Sequence, residues 1–130
     1  MTTIDTTGSR EANPRTALVS GGIGGLGTAI CIALARAGRR VIALDLDRPS
    51  SVDIFQQAVG GLDIAFQPLD VTDFDACRDC VQSVQAAHGS VDILVNAAGI
   101  TRDTTLRRMD KLQWDAVMGV NLDGVFNLTR

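Results

Sequence analysis

Several chemical groups are scarce in this chain of 130 residues, and each scarcity narrows the possible functions. The chain has one histidine, His88, and no tyrosine, so we expect neither a metal centre built on several imidazoles nor a Ser-His-Asp triad. Its cysteines number three, which argues against a disulfide framework. No apolar run approaches the ~20 residues that a membrane-spanning helix requires. The sequence therefore predicts no metal site and no membrane partner.

The charge of the chain limits its partners further. A net charge of -3 and a pI near 4.9 give no basic surface for nucleic acid. Residues 1–10 lack the apolar core of a secretory signal, so we expect a cytoplasmic location. Residues 1–14 are polar and aperiodic and are predicted to be a disordered lead-in. An apolar content of 45% predicts that residues 15–130 form a single folded domain.

The most informative stretch is a glycine-rich turn between a predicted strand and a predicted helix. An apolar segment at 16–20 precedes the turn, and a helix ending at Gly38 follows it, with one apolar face formed by Leu26, Ile30, Ala33, Leu34 and Ala37. Glycines allow a tight reversal and the close approach of a pyrophosphate, whose charge a helix N-terminus favours. The turn therefore predicts a dinucleotide site. Three overlapping spacings leave its type open: Gly22-Gly24-Gly27, Gly21-Gly24-Gly27 and Gly21-Gly25-Gly27.

The rest of the chain alternates between strand and helix patterns. We predict further strands at 40–45, 63–69 and 91–95. We predict further helices at 52–59, from an N-cap at Thr72 to His88, and from about Asp110 to the end of the chain. This alternation predicts an α/β fold with a doubly wound parallel sheet of four strands in the order 3-2-1-4. Ligands of such sheets bind at the carboxyl ends of the strands, where the order reverses between strands one and four.

Polar residues and glycines stand at several of these strand ends. Asp45 ends the second strand, where a carboxylate can accept hydrogen bonds from ribose hydroxyls, although the nearby Arg48 could instead meet a phosphate. Asp70 follows the third strand, and the segment 96–99 follows the fourth. In the last helix Asn121 falls on an apolar stripe, where it needs a hydrogen-bond partner or bends the helix. That stripe comprises Trp114, Val117, Val125 and Leu128.

Taken together, these elements resemble the short-chain dehydrogenase/reductase family over residues 15–130. The resemblance is carried by Ser20-Gly21-x-x-x-Gly25-x-Gly27, Asp70-Val71, Asn96-Ala97-Ala98-Gly99 and Asn121. It implies a Rossmann-type NAD(P)-binding domain without a metal, and a catalytic role for Asn121, which in the family holds a proton-relay water. The residues that it implies for cofactor binding are Ser20, Gly21, Gly24, Gly25, Leu26, Gly27, Asp45, Asp70, Val71, Asn96, Ala97, Ala98 and Gly99.

The resemblance is strongest to acetoacetyl-CoA reductases and 3-oxoacyl-carrier-protein reductases. Such enzymes reduce a 3-oxoacyl thioester to the 3-hydroxy form, usually with NADPH. Asp45 departs from that pattern, since a carboxylate repels a 2′-phosphate, so NAD(H) is favoured and NADP(H) remains possible. Other secondary alcohols as substrates, or a non-catalytic nucleotide-binding or dimerising fragment, are the open alternatives. A sugar-nucleotide epimerase fits the glycines but is disfavoured by Asn121 and by the segment 96–99.

The largest departure from the family is the missing Tyr-x-x-x-Lys pair. The chain has no tyrosine, and Lys111 stands at the wrong place. We therefore interpret the chain as the amino-terminal part of a family member that is inactive alone and, with the fourth strand and last helix uncovered, forms homo-oligomers. Valine at Gly21 or Gly27 is predicted to abolish dinucleotide binding with less effect on folding. The pair Cys77 and Cys80 has redox spacing but lies within a helix, so no redox role is predicted.

Overall fold

The computed structural model describes residues 13–130, so residues 1–12 of the predicted lead-in lie outside the described part of the chain. Strands and helices alternate along the chain. The strands are β1 (Thr16–Ser20), β2 (Arg40–Asp45), β3 (Ile64–Pro68) and β4 (Val91–Asn96). The helices are α1 (Gly25–Arg36), α2 (Pro49–Val59), α3 (Phe74–His88), α4 (Lys111–Met118) and α5 (Gly124–Thr129), with a π-helical turn at Gly119–Asp123 between the last two.

The four strands form one parallel sheet in the order β3-β2-β1-β4. This confirms the predicted α/β class and strand order. β1 and β2 lie in the middle, and their apolar side chains are buried on both faces, as is typical of parallel strands covered by helices. One face carries a core cluster with Leu18, Ile42 and Leu44, and the other carries a cluster with Val19 and Phe55.

Several helix starts differ from prediction for identifiable reasons. α2 begins at Pro49, three residues earlier than predicted, because proline suits the first helical position. The predicted N-cap of α3 at Thr72 is wrong. Asp73 is the N-cap, since its Oδ1 accepts a hydrogen bond from the N–H of Ala76 at 3.0 Å. Thr72 instead binds Asp70 through both its N–H and its hydroxyl.

The apolar face predicted for α1 is wrong only in part, because Ile30 and Leu34 do pack against the core. Leu26 is 74% exposed, whereas Gly27 and Cys31 are the buried residues of this helix. The reason is the glycine turn, because a Cβ added at Gly27 would lie 2.0 Å from the carbonyl oxygen of Gly21. A helix that rests its third residue against the turn must point its second residue away from the core.

The last helical run is interrupted by the π-helical turn, where the N–H of Gly124 donates to the carbonyl oxygen of Gly119. Such single π turns widen a helix locally and occur frequently at functional sites. Asn121 lies in this turn and is exposed, so its predicted position on a buried face is wrong. Gly124 packs closely against Val71, which precedes α3. A Cβ at Gly124 would lie 2.7 Å from Val71 Cγ2. Within residues 13–130, no helix has both the length and the apolar character needed to cross a bilayer.

Candidate cofactor site

A cleft of about 320 Å³ opens at the carboxyl ends of the strands, where β1 adjoins β4. Its walls come from the glycine turn, from the ends of β2 and β3, and from the segment after β4. The predicted site residues in its lining are Gly21, Gly24, Gly25, Leu26, Gly27, Asp45, Asp70, Val71, Ala97, Ala98 and Gly99. The structure thus gathers at one opening residues from the beginning and from the last third of the described chain.

The glycines of the turn fall into two groups with different roles. Gly21 has φ +65°, and a Cβ there would lie 2.8 Å from the backbone of Ala97. A Cβ added at Gly27 would collide with the backbone of Gly21. These two glycines allow close packing of the chain on itself, which argues against the prediction that valine at either position affects folding less than dinucleotide binding.

Gly25 behaves differently, because nothing lies within 4 Å of the position that its Cβ would take. It begins α1, whose N-cap, Gly24, offers no side-chain cap. In the described part of the chain, the N–H groups of Gly25, Leu26 and Gly27 have no hydrogen-bond acceptor. Free N–H groups and open space at a helix N-terminus suit an anion that approaches the backbone closely.

Asp45 closes the β2 side of the cleft, and its side chain is only 13% exposed. Its Oδ1 accepts hydrogen bonds from the N–H of Leu46 at 2.8 Å and from Nη2 of Arg48 at 3.3 Å. Its Oδ2 accepts a longer hydrogen bond from the N–H of Ile23 at 3.4 Å. The carboxylate therefore joins the glycine turn to the end of β2, and it keeps one acceptor position open.

Ser20 and Asn96 do not face the cleft, but their hydrogen bonds fix the backbone beside it. Ser20 Oγ accepts a hydrogen bond from the N–H of Ala98 at 3.2 Å and donates to the carbonyl of Val95 at 3.5 Å. Asn96 pairs with Ser20 across the sheet and donates through Nδ2 to the hydroxyl of Thr129. Neither residue lines the cleft itself. Their contacts tie the segment after β4 to the end of β1 and to α5.

Asp70 and Val71 shape the cleft through their backbone as well as their side chains. The Asp70 carboxylate binds Thr72 at 2.9 Å (N–H) and 2.7 Å (hydroxyl), which fixes the turn before α3. The carbonyl of Val71 accepts a hydrogen bond from Asn127 Nδ2 at 2.8 Å. α5 is thereby attached to the wall of the cleft.

Asn121 makes a two-point contact with the backbone of Ile100. Its Oδ1 accepts from the N–H of Ile100 at 2.9 Å, and its Nδ2 donates to the carbonyl of Ile100 at 3.0 Å. The amide thus pairs with the segment 97–100 as a strand neighbour would. Asn121 does not line the cleft, but it holds in place a segment that does.

The three cysteines are buried, and their thiols are in an environment that disfavours reactivity. Desolvation by burial raises the pKa of Cys31 to about 11 and, with a smaller contribution from Cys80, raises the pKa of Cys77 to about 11. Burial also raises the pKa of Cys80. Cys31 lies beneath the glycine turn, where its thiol donates to the carbonyl of Gly22 at 3.7 Å. All three thiols are protonated at neutral pH, which disfavours nucleophilic chemistry.

Six residues of the cleft lining were not predicted as site residues from the sequence. Leu44 lies next to the end of β2 and Leu69 follows β3, so their place in the lining follows from the strand order. Ile100 and Val120 flank the polar positions that the motifs marked, and only the tertiary fold reveals them. The lining residues not among the predicted site residues are Leu44, Leu46, Arg48, Leu69, Ile100 and Val120.

Comparisons with known proteins agree with this architecture. A sequence model described as short chain dehydrogenase matches residues 15–130. Nodulation protein G of Azospirillum brasilense is 48% identical over 116 residues, which is 88% of this chain and 47% of that protein. Acetoacetyl-CoA reductase of Allochromatium vinosum is 45% identical over 119 residues, which is 89% of this chain and 48% of that protein.

A solved structure shows the same fold. The crystal structure of a variant of actinorhodin polyketide ketoreductase with NADPH superposes with a TM-score of 0.81 and 27% identity, over 93% of this chain and 47% of that one. The chain belongs to the short-chain dehydrogenase family. It spans about half the length of the curated relatives that it matches.

Proposed function

We propose that this chain is the cofactor-binding part of an NAD(P)-dependent oxidoreductase that reduces a 3-oxoacyl thioester to the 3-hydroxy form. The observation that carries the proposal is the geometry at Gly25. An uncapped helix N-terminus and an unfilled Cβ position open into one cleft, and Asp45 lies at the side of that cleft. This arrangement suits a pyrophosphate beside a ribose. Support for the substrate class comes from the acetoacetyl-CoA reductase relative.

The residues present fit a dinucleotide in a definite order along the cleft. The free N–H groups of Gly25, Leu26 and Gly27 would receive the pyrophosphate, and Asp45 would receive the adenosine ribose. The wall made by Asp70 and Val71 would border the adenine, and the segment 97–100 would border the nicotinamide half. When bound, the cofactor supplies the hydride. The contribution of the chain is to hold and orient it.

We assign Asn121 a positioning role toward the segment that lines the cleft. Its amide holds the backbone of Ile100, which lines the cleft. In the family that this chain resembles, the corresponding asparagine holds a water of the proton relay, and we assign Asn121 that role in the complete enzyme.

Cofactor binding is tested by titrating NADH into the wild-type chain and into Gly25→Val. A valine at Gly25 fills the open space without touching the fold, so we expect the melting temperature to stay within a few degrees while affinity falls by about tenfold or more, as expected when one charge-assisted contact is lost. Gly61→Val is the matched control, since its Cβ position is equally open but lies outside the cleft. Unchanged affinity in Gly25→Val would place the ligand elsewhere.

We propose in addition that Asp45 favours NAD(H) over NADP(H). Its carboxylate keeps an acceptor for a ribose hydroxyl and carries a charge that repels a 2′-phosphate. Loss of one charge-assisted hydrogen bond costs roughly 1.5–3 kcal/mol, which is about ten- to a hundredfold in affinity. Titration of both cofactors against wild type and Asp45→Ala tests this preference. Tighter binding of NADP(H) than of NAD(H) by the wild type would refute it.

We further propose that these 130 residues alone catalyse no hydride transfer. Carbonyl reduction requires an acid that protonates the developing alkoxide. Tyrosine supplies that acid in the family, and this sequence contains none. The only histidine, His88, ends α3 just before the start of β4, at the opposite ends of the strands from the cleft. Incubation with NADH or NADPH and acetoacetyl-CoA should show no oxidation of the nicotinamide above the Gly25→Val control.

A non-catalytic dimerising module is the second candidate, because one surface favours it. Leu112, Trp114, Leu122 and Phe126 on the last helical run are exposed large apolar side chains. Large apolar side chains exposed to solvent favour association. We expect light scattering to show a mass that rises with concentration, and Phe126→Ser to reduce that rise. A concentration-independent monomer would argue against this candidate.

A further inference from the structure

One helical run touches two walls of the cleft. The run comprises the π-helical turn and α5, residues 119–129. At one wall, Asn121 holds the backbone of Ile100 by two hydrogen bonds of 2.9 and 3.0 Å. At the other wall, Asn127 Nδ2 donates to the carbonyl oxygen of Val71 at 2.8 Å. Because Ile100 and Val71 both line the cleft, two amides of a single helical run hold lining residues that are distant in the sequence.

The contact of this run with Val71 is tight. Val71 and Leu128 are each 7% exposed and belong to one core cluster. Gly124 is also buried, and its backbone packs directly against the Val71 side chain. The thiol of Cys77 also donates to the Val71 carbonyl, at 3.5 Å, but a thiol is a weak donor. Asn127 therefore makes the stronger of these hydrogen bonds, beside a close contact between helix and wall.

The end of the run is attached to the same region by an aromatic contact. Phe126 stacks on Phe74, the first residue of α3, and the Arg130 guanidinium lies 5.6 Å from the centroid of the Phe74 ring. The attachment at Ile100 is different, because Asn121 is exposed and its amide provides both hydrogen bonds. The run is thus packed on the adenosine side of the cleft and reaches the segment 97–100 with one exposed amide.

We propose that Asn127 is a positioning residue, which makes the order of the segment 97–100 depend on what occupies the adenosine side of the cleft. The inference rests on the proposed dinucleotide site. Local opening of the helical run away from Val71 would release Asn127 and Asn121 together, and Ile100 would lose its two hydrogen bonds. A nucleotide whose base borders Val71 binds the packed arrangement and not the open one, so it lowers the frequency of opening. The adenosine half of the cofactor thereby helps to order the wall that receives the nicotinamide half.

The test measures hydrogen exchange at the Ile100 amide by NMR, with and without adenosine 5′-monophosphate. This nucleotide carries the base, the ribose and one phosphate, but no nicotinamide. At about 100 times its dissociation constant, we expect exchange in the wild type to slow by about tenfold or more, below the ceiling of about a hundredfold that mass action sets. Asn127→Leu keeps the approximate size of the side chain and removes the donor. In this variant we expect the nucleotide to bind and to leave exchange at Ile100 nearly unchanged.

Three further variants sharpen the test. Asn127→Gln keeps the donor and should restore part of the nucleotide-dependent protection, a rescue that a mere packing role would not give. Asn127→Asp keeps the size but cannot donate, so it makes the same test in case the leucine variant does not fold. Gln85→Leu is the matched control, because it removes an exposed amide from α3 outside the cleft and should respond as the wild type does. Calorimetry on each variant ensures that equal occupancies are compared.

The outcomes separate this inference from the proposed function. If the nucleotide binds the wild type without slowing exchange at Ile100, the link is refuted while the site stands. If it slows exchange equally in the wild type and in Asn127→Leu, the ligand orders Ile100 by direct contact, and the role of Asn127 is refuted. If the nucleotide does not bind the wild type, the dinucleotide site itself is wrong, and the inference falls with it.

Discussion

The amino-terminal and carboxyl-terminal parts of the molecule differ in how well their apolar side chains are covered. In the amino-terminal half, the apolar residues of β1 and β2 are buried, and Phe55 of α2 is 2% exposed. In the carboxyl-terminal run, Phe126 is 58% exposed and Trp114 is 46% exposed. Phe126 stacks on Phe74, with ring centroids 6.3 Å apart, and still remains more than half exposed.

This difference in coverage shows which parts of the molecule support each side of the cleft. Its adenosine side rests on the glycine turn and β2, whose apolar side chains lie in a core cluster of the chain. Its other side rests on β4 and the segment 97–100, which depend on a few side-chain contacts from the exposed helical run. We therefore expect substitutions in the first region to act on folding and substitutions in the second to act on local order.

The largest effect is expected at Gly27. Valine there must displace the backbone of Gly21 from 2.0 Å, so we expect Gly27→Val to prevent formation of the β1–α1 unit. Circular dichroism and thermal unfolding should show loss of the cooperative transition. Gly25→Val, two residues away in open space, is the control and should unfold as the wild type does. A well-folded Gly27→Val would show that the turn can relax and would weaken the contrast between the two regions.

Matched truncation of two phenylalanines measures the contrast directly. Phe55→Ala removes a buried ring and should lower the free energy of unfolding by about 3–5 kcal/mol. Phe126→Ala removes an exposed ring and should cost at most about 0.5–1.5 kcal/mol, the value of an aromatic pair. Denaturant titration of both variants gives the comparison. Equal losses would mean that the last helical run is as well supported as the core.

The parallel sheet was predictable because β1 and β2 are short apolar runs that only a sheet covered on both faces can bury. The strand order followed from the alternation of strands and helices along the chain. The error at α1 was not avoidable by periodicity. Leu26 fits the apolar spacing, but the packing of Gly27 against Gly21 sets the rotation of the helix. Likewise Thr72 and Asp73 are both good N-caps, and the choice is made by Asp70, which captures the Thr72 hydroxyl.

The candidate site shows the same division. Residues at strand ends could be marked from the pattern, since topology alone brings those ends to one edge. The contact between Asn121 and Ile100 needed the tertiary fold, because a polar residue in a helix signals only that some partner exists. The ion pair of Arg48 was equally hidden, although its spacing from Asp45 allowed it.

Asn121→Ala should produce a smaller and local effect. It removes two hydrogen bonds to Ile100, each contributing about 0.5–1.5 kcal/mol. We expect faster hydrogen exchange at the Ile100 amide with little change in β1. Asn121→Asp can still accept from Ile100 but cannot donate to it, so it should retain part of the protection. Unchanged exchange in Asn121→Ala would show that the segment 97–100 is held by β4 alone.

The smallest effect is expected at Asp92, where the two regions meet at the far end of the sheet from the cleft. The register between β1 and β4 shifts here, with Thr16 opposite Val91 and Ala17 opposite Ile93. Asp92 therefore has no strand partner, and its carboxylate accepts from the N–H of Thr16 at 2.9 Å and the hydroxyl of Ser90 at 2.8 Å. These hydrogen bonds, that of Thr16 foremost, hold the pKa of Asp92 below its ordinary value.

A lowered pKa in the folded state means that the ionised carboxylate stabilises the fold above the pKa of the unfolded chain, about 3.9 for aspartate. That stabilisation is lost as the pH falls through the lower, folded value. The stability difference between wild type and Asp92→Asn should therefore be constant from pH 7 to about pH 5 and shrink at more acidic pH. Urea midpoints across this range measure it. Asp63→Asn, at an acid for which no such pair of hydrogen bonds exists within residues 13–130, serves as the control. A difference that stays constant down to the acid transition would show that the charge of Asp92 does not hold β1 and β4 together.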